Sequence, residues 1–292
     1  MARINIKTIL LLILANTLIT IILPILSSAI AKSLNKKFEI GLFNLPAIYS
    51  LIIVILIIIL LKIYSKSKTS FYGIKKLNIK DIKLTFLLLF FLFPIPLLGR
   101  ILDPSFDSWY TSQYNIFSFL AILYFLINLP IFIIKEELIE RSLIQNHLSK
   151  YYSSLITILV VSINFAILHF FLIPNSYYHS FITLASVFLG SLIIVSLYEI
   201  TKNVFLTMII HIIYNLTVFY QIILHINNNL LGEIILFTIW GLLFLFTFKK
   251  SFNLIKPLFI SKKQKLSTAD YSFLIFYAIL LPIIILIITK YL

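Results

Sequence analysis

Long apolar runs alternate with short polar stretches along the whole chain. A run of about 18 or more apolar residues is long enough to cross a bilayer as a helix. The pattern predicts nine helices. The first three are Thr8 to Ala31, Leu42 to Tyr64 and about Leu84 to Leu98. The fourth starts near Ile116 and ends at the polar turn Ser149 to Ser154. The others cover Leu155 to Ile173, Phe181 to Tyr198, Asn203 to Leu224, Glu233 to Phe248 and Tyr271 to Thr289. A β-barrel would instead alternate strictly over short segments. The expected fold is therefore an all-α polytopic membrane protein with about nine transmembrane helices.

Composition agrees with this. Hydrophobic residues make up 61% of the 292 residues and charged residues 12%, with a mean hydropathy of +1.08. The first run exceeds the 7–15 residues of a signal-peptide core, so it reads as an uncleaved helix. The net charge of +14 comes largely from two lysine-rich stretches, Lys62 to Lys83 and Lys249 to Lys265. Both fall on one side of the membrane if all nine helices span, which places them and the N-terminus in the cytoplasm. Clustering of that kind points to membrane lipids as partners rather than nucleic acid. The six glycines form no Gly-rich loop, so no nucleotide is expected. With no cysteine, thiol catalysis, Cys-ligated zinc and disulfides are excluded.

Against this apolar background one stretch stands out. Three of the ten acidic residues, Glu136, Glu137 and Glu140, lie within five positions of the fourth predicted helix, followed by Arg141. Glu137 and Arg141 are four apart with the acid first, the favourable orientation for a helical ion pair. Glu136 lies about 100° round the helix and is left without that partner. Two further pairs occupy later helices: Phe165 with His169, next to Asn164, and His211 with Asn215. Each pair is four residues apart and so shares a face. Polar groups at membrane depth are costly and mark functional sites.

Depth connects the three. In a hairpin folded between Tyr152 and Ser153, Glu136 and His169 each lie about 16 residues from the turn, or ~24 Å along regular helices. The seventh predicted helix enters from the same side, placing His211 and Asn215 ~14–20 Å deep. A carboxylate, two histidines and an amide thus fall in one layer. A free carboxylate in an apolar pocket suits a general base. Glu136 with His169 is read as polarising water, and His211 with Asn215 as donating to an oxyanion. No metal is required by that set. The ligand types of Glu136, His169 and His211 also permit zinc as an alternative cofactor.

At these residues the sequence resembles the CPBP family of intramembrane endopeptidases, the CAAX proteases and bacteriocin-processing enzymes also called the Abi family. Its three motifs occur in order: Glu136-Glu137-x-x-x-Arg141, Phe165-x-x-x-His169 and His211-x-x-x-Asn215. The resemblance covers about Leu120 to Leu216, and Gly190 and Tyr198-Glu199 add to it. It implies that Glu136 and His169 activate water, that His211 and Asn215 form an oxyanion hole, and that Glu137 and Arg141 support the site. Two residues depart from the usual pattern: Glu140 replaces an apolar residue before the Arg, and Ser142 a Gly after it.

The expected organisation is N-terminal helices with a basic loop (1–115), a catalytic core in the fourth to seventh helices (116–224) and C-terminal helices with a second basic loop (225–292). The expected activity is endoproteolysis of a membrane-associated peptide or protein in a bacterial plasma membrane. The resemblance implies CAAX-type cleavage, bacteriocin or signal-peptide processing, or self-immunity. Two other classes stay open on the sequence: a non-catalytic binding or immunity protein, and a proton-coupled transporter that uses the acidic cluster as a relay.

Overall fold

A computed structural model describes residues 45–64, 72–95, 119–170, 177–227, 229–260 and 272. Seven helices form: α1 (Leu45–Tyr64), α2 (Ile79–Leu92), α3 (starting at Phe119), α4 (Ser154–Phe170), α5 (Tyr177–Thr201), α6 (Val204–Ile226) and α7 (Leu230–Ile260). In α3 an α-helical part, Phe119–Glu137, passes into a π-helical part, Leu138–Gln145, and a last α-helical turn, Asn146–Tyr151. The expected first helix, the loop Arg100 to Gln113 and, apart from Ser272, the ninth helix lie outside the described residues. No strand occurs among the described residues, which are helical apart from short connections. Three helices (Leu184–Thr201, Val204–His225 and Leu230–Ile260) are long and apolar enough to cross a membrane.

Two expected boundaries move. α2 begins at Ile79 rather than Leu84, because Asn78 caps it by accepting a hydrogen bond from the Lys80 N–H at 3.0 Å. α7 does not stop at Phe248 but runs through Lys249, Lys250 and Lys256 to Ile260. The second basic stretch is thus helical over its first half. Lysine is a good helix former, and Ser251 and Ile255 stay buried while Lys256 is exposed, so the apolar stripe continues past the charges. Ser251 donates to the Leu87 carbonyl at 3.1 Å. Phe91 meets Phe244 and Phe248, and Phe93 stacks on Trp240, so α7 runs antiparallel to α2.

Two cores flank the α5–α6 pair. Val195, Tyr198, Val204 and Met208 face one, with α1, α3 and α4. Ile193, Leu197, Leu206 and Ile210 face the other, with α2 and α7. α4 and α5 pack along most of their described length. The outer faces remain apolar: Ile52, Ile55 and Ile59 on α1 and Leu245 and Phe246 on α7 are exposed. In water such continuous faces would drive aggregation, whereas in a bilayer they are the lipid boundary.

The segment before α2 pins the α5–α6 turn. Lys202 takes φ +48° there, and Asn203 caps α6 by accepting from the Phe205 N–H at 3.1 Å. The Val204 N–H donates to the Gly73 carbonyl at 2.9 Å. Gly73 has φ +76°, and a Cβ there would stand 2.7 Å from the Tyr198 hydroxyl. Only glycine meets both conditions without a shift.

Candidate active site

Glu136 and Glu137 close the α-helical part of α3, and the π-helical part begins at the next residue. The N–H of Asn146 reaches back five residues to the Arg141 carbonyl as well as to that of Leu143. Short π segments of this kind are rare in helices and often sit at functional sites. Seven of the eight residues, including Glu140, Arg141, Ser142 and Gln145, are buried, so side chains leave the helix on several sides at once. The segment lies between Glu136 and the 152–153 turn. The depth expected from regular helices is therefore too large for Glu136.

Glu137 is the hub of the ion pairs. One oxygen, Oε2, accepts from Arg141 Nε at 3.1 Å, and the other, Oε1, faces His211 Nδ1 at 2.9 Å. All three side chains are almost fully buried. The expected Glu137–Arg141 pair is thus present, and His211 joins it from α6. Facing a carboxylate, His211 Nδ1 carries the proton, so Nε2 is the ring nitrogen left for other partners. His169 is oriented in the same way: its Nδ1 lies 2.8 Å from the Phe165 carbonyl, which also leaves Nε2.

Phe165 sits among these groups. Its ring centroid is 4.4 Å from that of His169 and 5.7 Å from that of His211, the second edge-on. The Arg141 guanidinium carbon stands 5.5 Å from the ring centre on the cation–π pattern. The aromatic ring therefore fixes both imidazoles and the cation in one cluster. Glu136 takes no part in the Glu137 ion pairs and is only half-buried. It acts electrostatically on His169, as does His211. Asn215, one turn beyond His211 on α6, is likewise half-buried. Glu136, His169 and Asn215 are thus half-buried, whereas Glu137, Arg141 and His211 are enclosed.

Glu140 is also buried, and the Asn164 amide donates to its Oε1 at 3.0 Å. The sequence marked both residues but not their contact, although they lie at nearly equal distances from the 152–153 turn. Among the described residues, no group of three or more His, Cys, Asp or Glu is gathered to hold a metal ion, and Glu136, His169 and His211 do not form one.

A second polar cluster was not anticipated. Glu199 at the end of α5 accepts from Gln145 Nε2 at 3.1 Å and from Ser149 Oγ at 2.9 Å, and pairs with Lys202 Nζ at 2.8 Å. Glu137, Arg141, Gln145 and Ser149 recur every four residues, a period visible in the sequence.

An all-helical, membrane-embedded core with paired carboxylates and two histidines on three helices defines the class. Residues 118–217, about a third of the chain, match the family model described as type II CAAX prenyl endopeptidase Rce1-like. The match spans all three motifs and bears out the resemblance to the CPBP/CAAX protease family. It indicates an integral membrane protein with intramembrane endopeptidase activity. No curated protein and no solved structure matches the chain.

Proposed function

We propose that the chain hydrolyses a peptide bond in a membrane-associated peptide or protein, with Glu136 and His169 activating water. The observation that carries this reading is the division of labour between the two adjacent glutamates. Glu137 spends both oxygens on Arg141 and His211, while half-buried Glu136 stays outside those pairs beside His169. A water held between the Glu136 carboxylate and His169 Nε2 gives up a proton to this pair as its oxygen adds to the substrate carbonyl carbon. The C–N bond then breaks, and the same proton passes to the leaving amine.

The tetrahedral oxyanion is stabilised from α6. With Nδ1–H on Glu137, His211 donates through Nε2 only as an imidazolium. The Asn215 amide supplies the second donor. Losing one such donor typically costs ~10²–10³ in turnover. Asn215→Ala is therefore expected to slow single-turnover cleavage by about that factor, with substrate affinity nearly unchanged. Turnover within twofold of wild type, per folded molecule, removes Asn215 from the oxyanion hole.

This chemistry needs no ion. Purified protein is expected to keep its activity in chelator and to carry no stoichiometric zinc. One tightly bound zinc per chain in elemental analysis, with activity lost on its removal, assigns Glu136, His169 and His211 to a metal instead.

The substrate class follows from the surroundings: a site among lipid-facing helices meets segments that are themselves lipid-anchored or apolar. CAAX-type tails and bacteriocin or signal peptides both fit, in a bacterial plasma membrane with the lysine-rich ends in the cytoplasm. The reading is tested by comparing membrane-associated and secreted peptides from wild-type cells and cells carrying Glu136→Gln. Fragments that disappear in the variant identify the substrate. Identical peptide profiles, with both proteins present at equal level, count against an endopeptidase.

A further inference from the structure

Hydrolysis consumes one water per bond, and the site lies among buried side chains. A polar route has to connect it to solvent. Buried polar groups extend from the second polar cluster toward Arg141. The outer end is Lys202, whose side chain is 35% exposed and pairs with nearly buried Glu199. Lys202 Nζ also donates to the Ser149 hydroxyl at 3.1 Å and lies 5.6 Å from the Tyr198 ring centre.

Inward from there, polar atoms without protein partners follow one another. Among the described residues the buried Tyr198 hydroxyl has no hydrogen-bond partner, and its ring lies beside Lys202. Gln145 uses its Nε2 on Glu199 and on the Val195 carbonyl, and its buried Oε1 has no partner. One turn further, Arg141 is fully buried with Nη1 and Nη2 both unpartnered. Asn164 Oδ1, on the residue that holds Glu140, is also unpartnered. Isolated orphans of this kind are rare in folded proteins, and water is their usual partner. Here they belong to α3, α4 and α5, with Gln145 and Arg141 four residues apart on α3.

We propose that a file of bound water enters beside Lys202 and Glu199, passes Tyr198 and Gln145, and reaches Arg141, supplying the hydrolytic site. The supply role rests on the endopeptidase reading, whereas the presence of the water does not.

Radiolytic hydroxyl labelling of the protein in lipid nanodiscs, read by mass spectrometry, tests the water directly. Side chains next to bound water are labelled even when buried. Tyr198 is expected to be labelled, while Trp240, equally enclosed but in the apolar core of α2 and α7, is expected to stay protected. Protection of Tyr198 to the level of Trp240 overturns the proposal whether or not a substrate is ever found. The supply role is then tested with Gln145→Leu and Tyr198→Phe in the full chain. Each is expected to lower turnover about tenfold, the loss of one water-mediated hydrogen bond in the path, with KM unchanged; melting stays unchanged in Tyr198→Phe, whereas Gln145→Leu also loses its bonds to Glu199 and the Val195 carbonyl and melts earlier. Labelled Tyr198 in wild type together with unchanged turnover in both folded variants overturns the supply role. Loss of folding in Gln145→Leu leaves Tyr198→Phe, which removes one oxygen only, to decide.

Discussion

Replacing Glu136 by glutamine is expected to lower turnover about 10²–10⁴-fold, the usual contribution of a general base, without changing the melting temperature. The side chain keeps its shape, and only the proton acceptor is lost. Because Glu136 is half-buried and outside the Glu137 ion pairs, no buried cation is left without a counter-charge. The check is cleavage per folded molecule beside thermal unfolding in detergent. A Glu136→Gln protein that cleaves within a few-fold of wild type ends its assignment as the base.

Glu137→Gln is expected to act differently, on stability as well as on rate. Arg141 Nε and His211 Nδ1 both meet this carboxylate, and all three groups are buried. Breaking a buried pair by neutralising one partner costs about 3–5 kcal/mol, because the other charge is left uncompensated. The variant therefore unfolds earlier than wild type. What remains folded is also slow, since His211 loses the carboxylate that orients its ring. Restoring a carboxylate as Glu137→Asp is expected to recover part of both losses. Equal melting for Glu136→Gln and Glu137→Gln would falsify the division of roles between the two residues.

Much of this site was legible before any coordinates. The Glu137–Arg141 pair follows from spacing alone. The meeting of Phe165, His169 and His211 is expected from face and depth, because α4 and α6 start from the same side of the bundle. What was hidden has physical reasons. A π-helical segment leaves the order of apolar residues intact, so neither its presence at 138–145 nor the shortened depth of Glu136 can be read from periodicity. His211 Nδ1 pairs with a residue 74 positions away, and spacing cannot say which carboxylate it faces. The continuation of α7 was missed because charge was taken to end the helix. The buried face, Ser251 and Ile255, carried the better signal. Tyr198 and Glu199 were noticed through resemblance, but their partners required the turn at Lys202.

The length of α7 carries a consequence for the thickness of the bilayer that suits this protein. Its 31 residues span ~46 Å at 1.5 Å per residue, well beyond a hydrocarbon layer of about 30 Å. Tilt alone does not absorb the excess, since transmembrane helices seldom lean more than about 40°. The part before Lys249, from Leu230 to Phe248, measures ~28 Å and matches the layer without tilt. Lys249 then marks the boundary, with Lys250 and Lys256 beyond it and the lysines of the antiparallel α2, Lys80 and Lys83, on the same side. A thinner bilayer leaves this hydrophobic mismatch to be taken up by leaning. A thicker one draws the lysine stems back toward the acyl chains, where they extend along the helix to keep their ammonium groups at the headgroups. Because α2 and α7 pack on α6, which bears His211 and Asn215, such leaning is transmitted to one wall of the site.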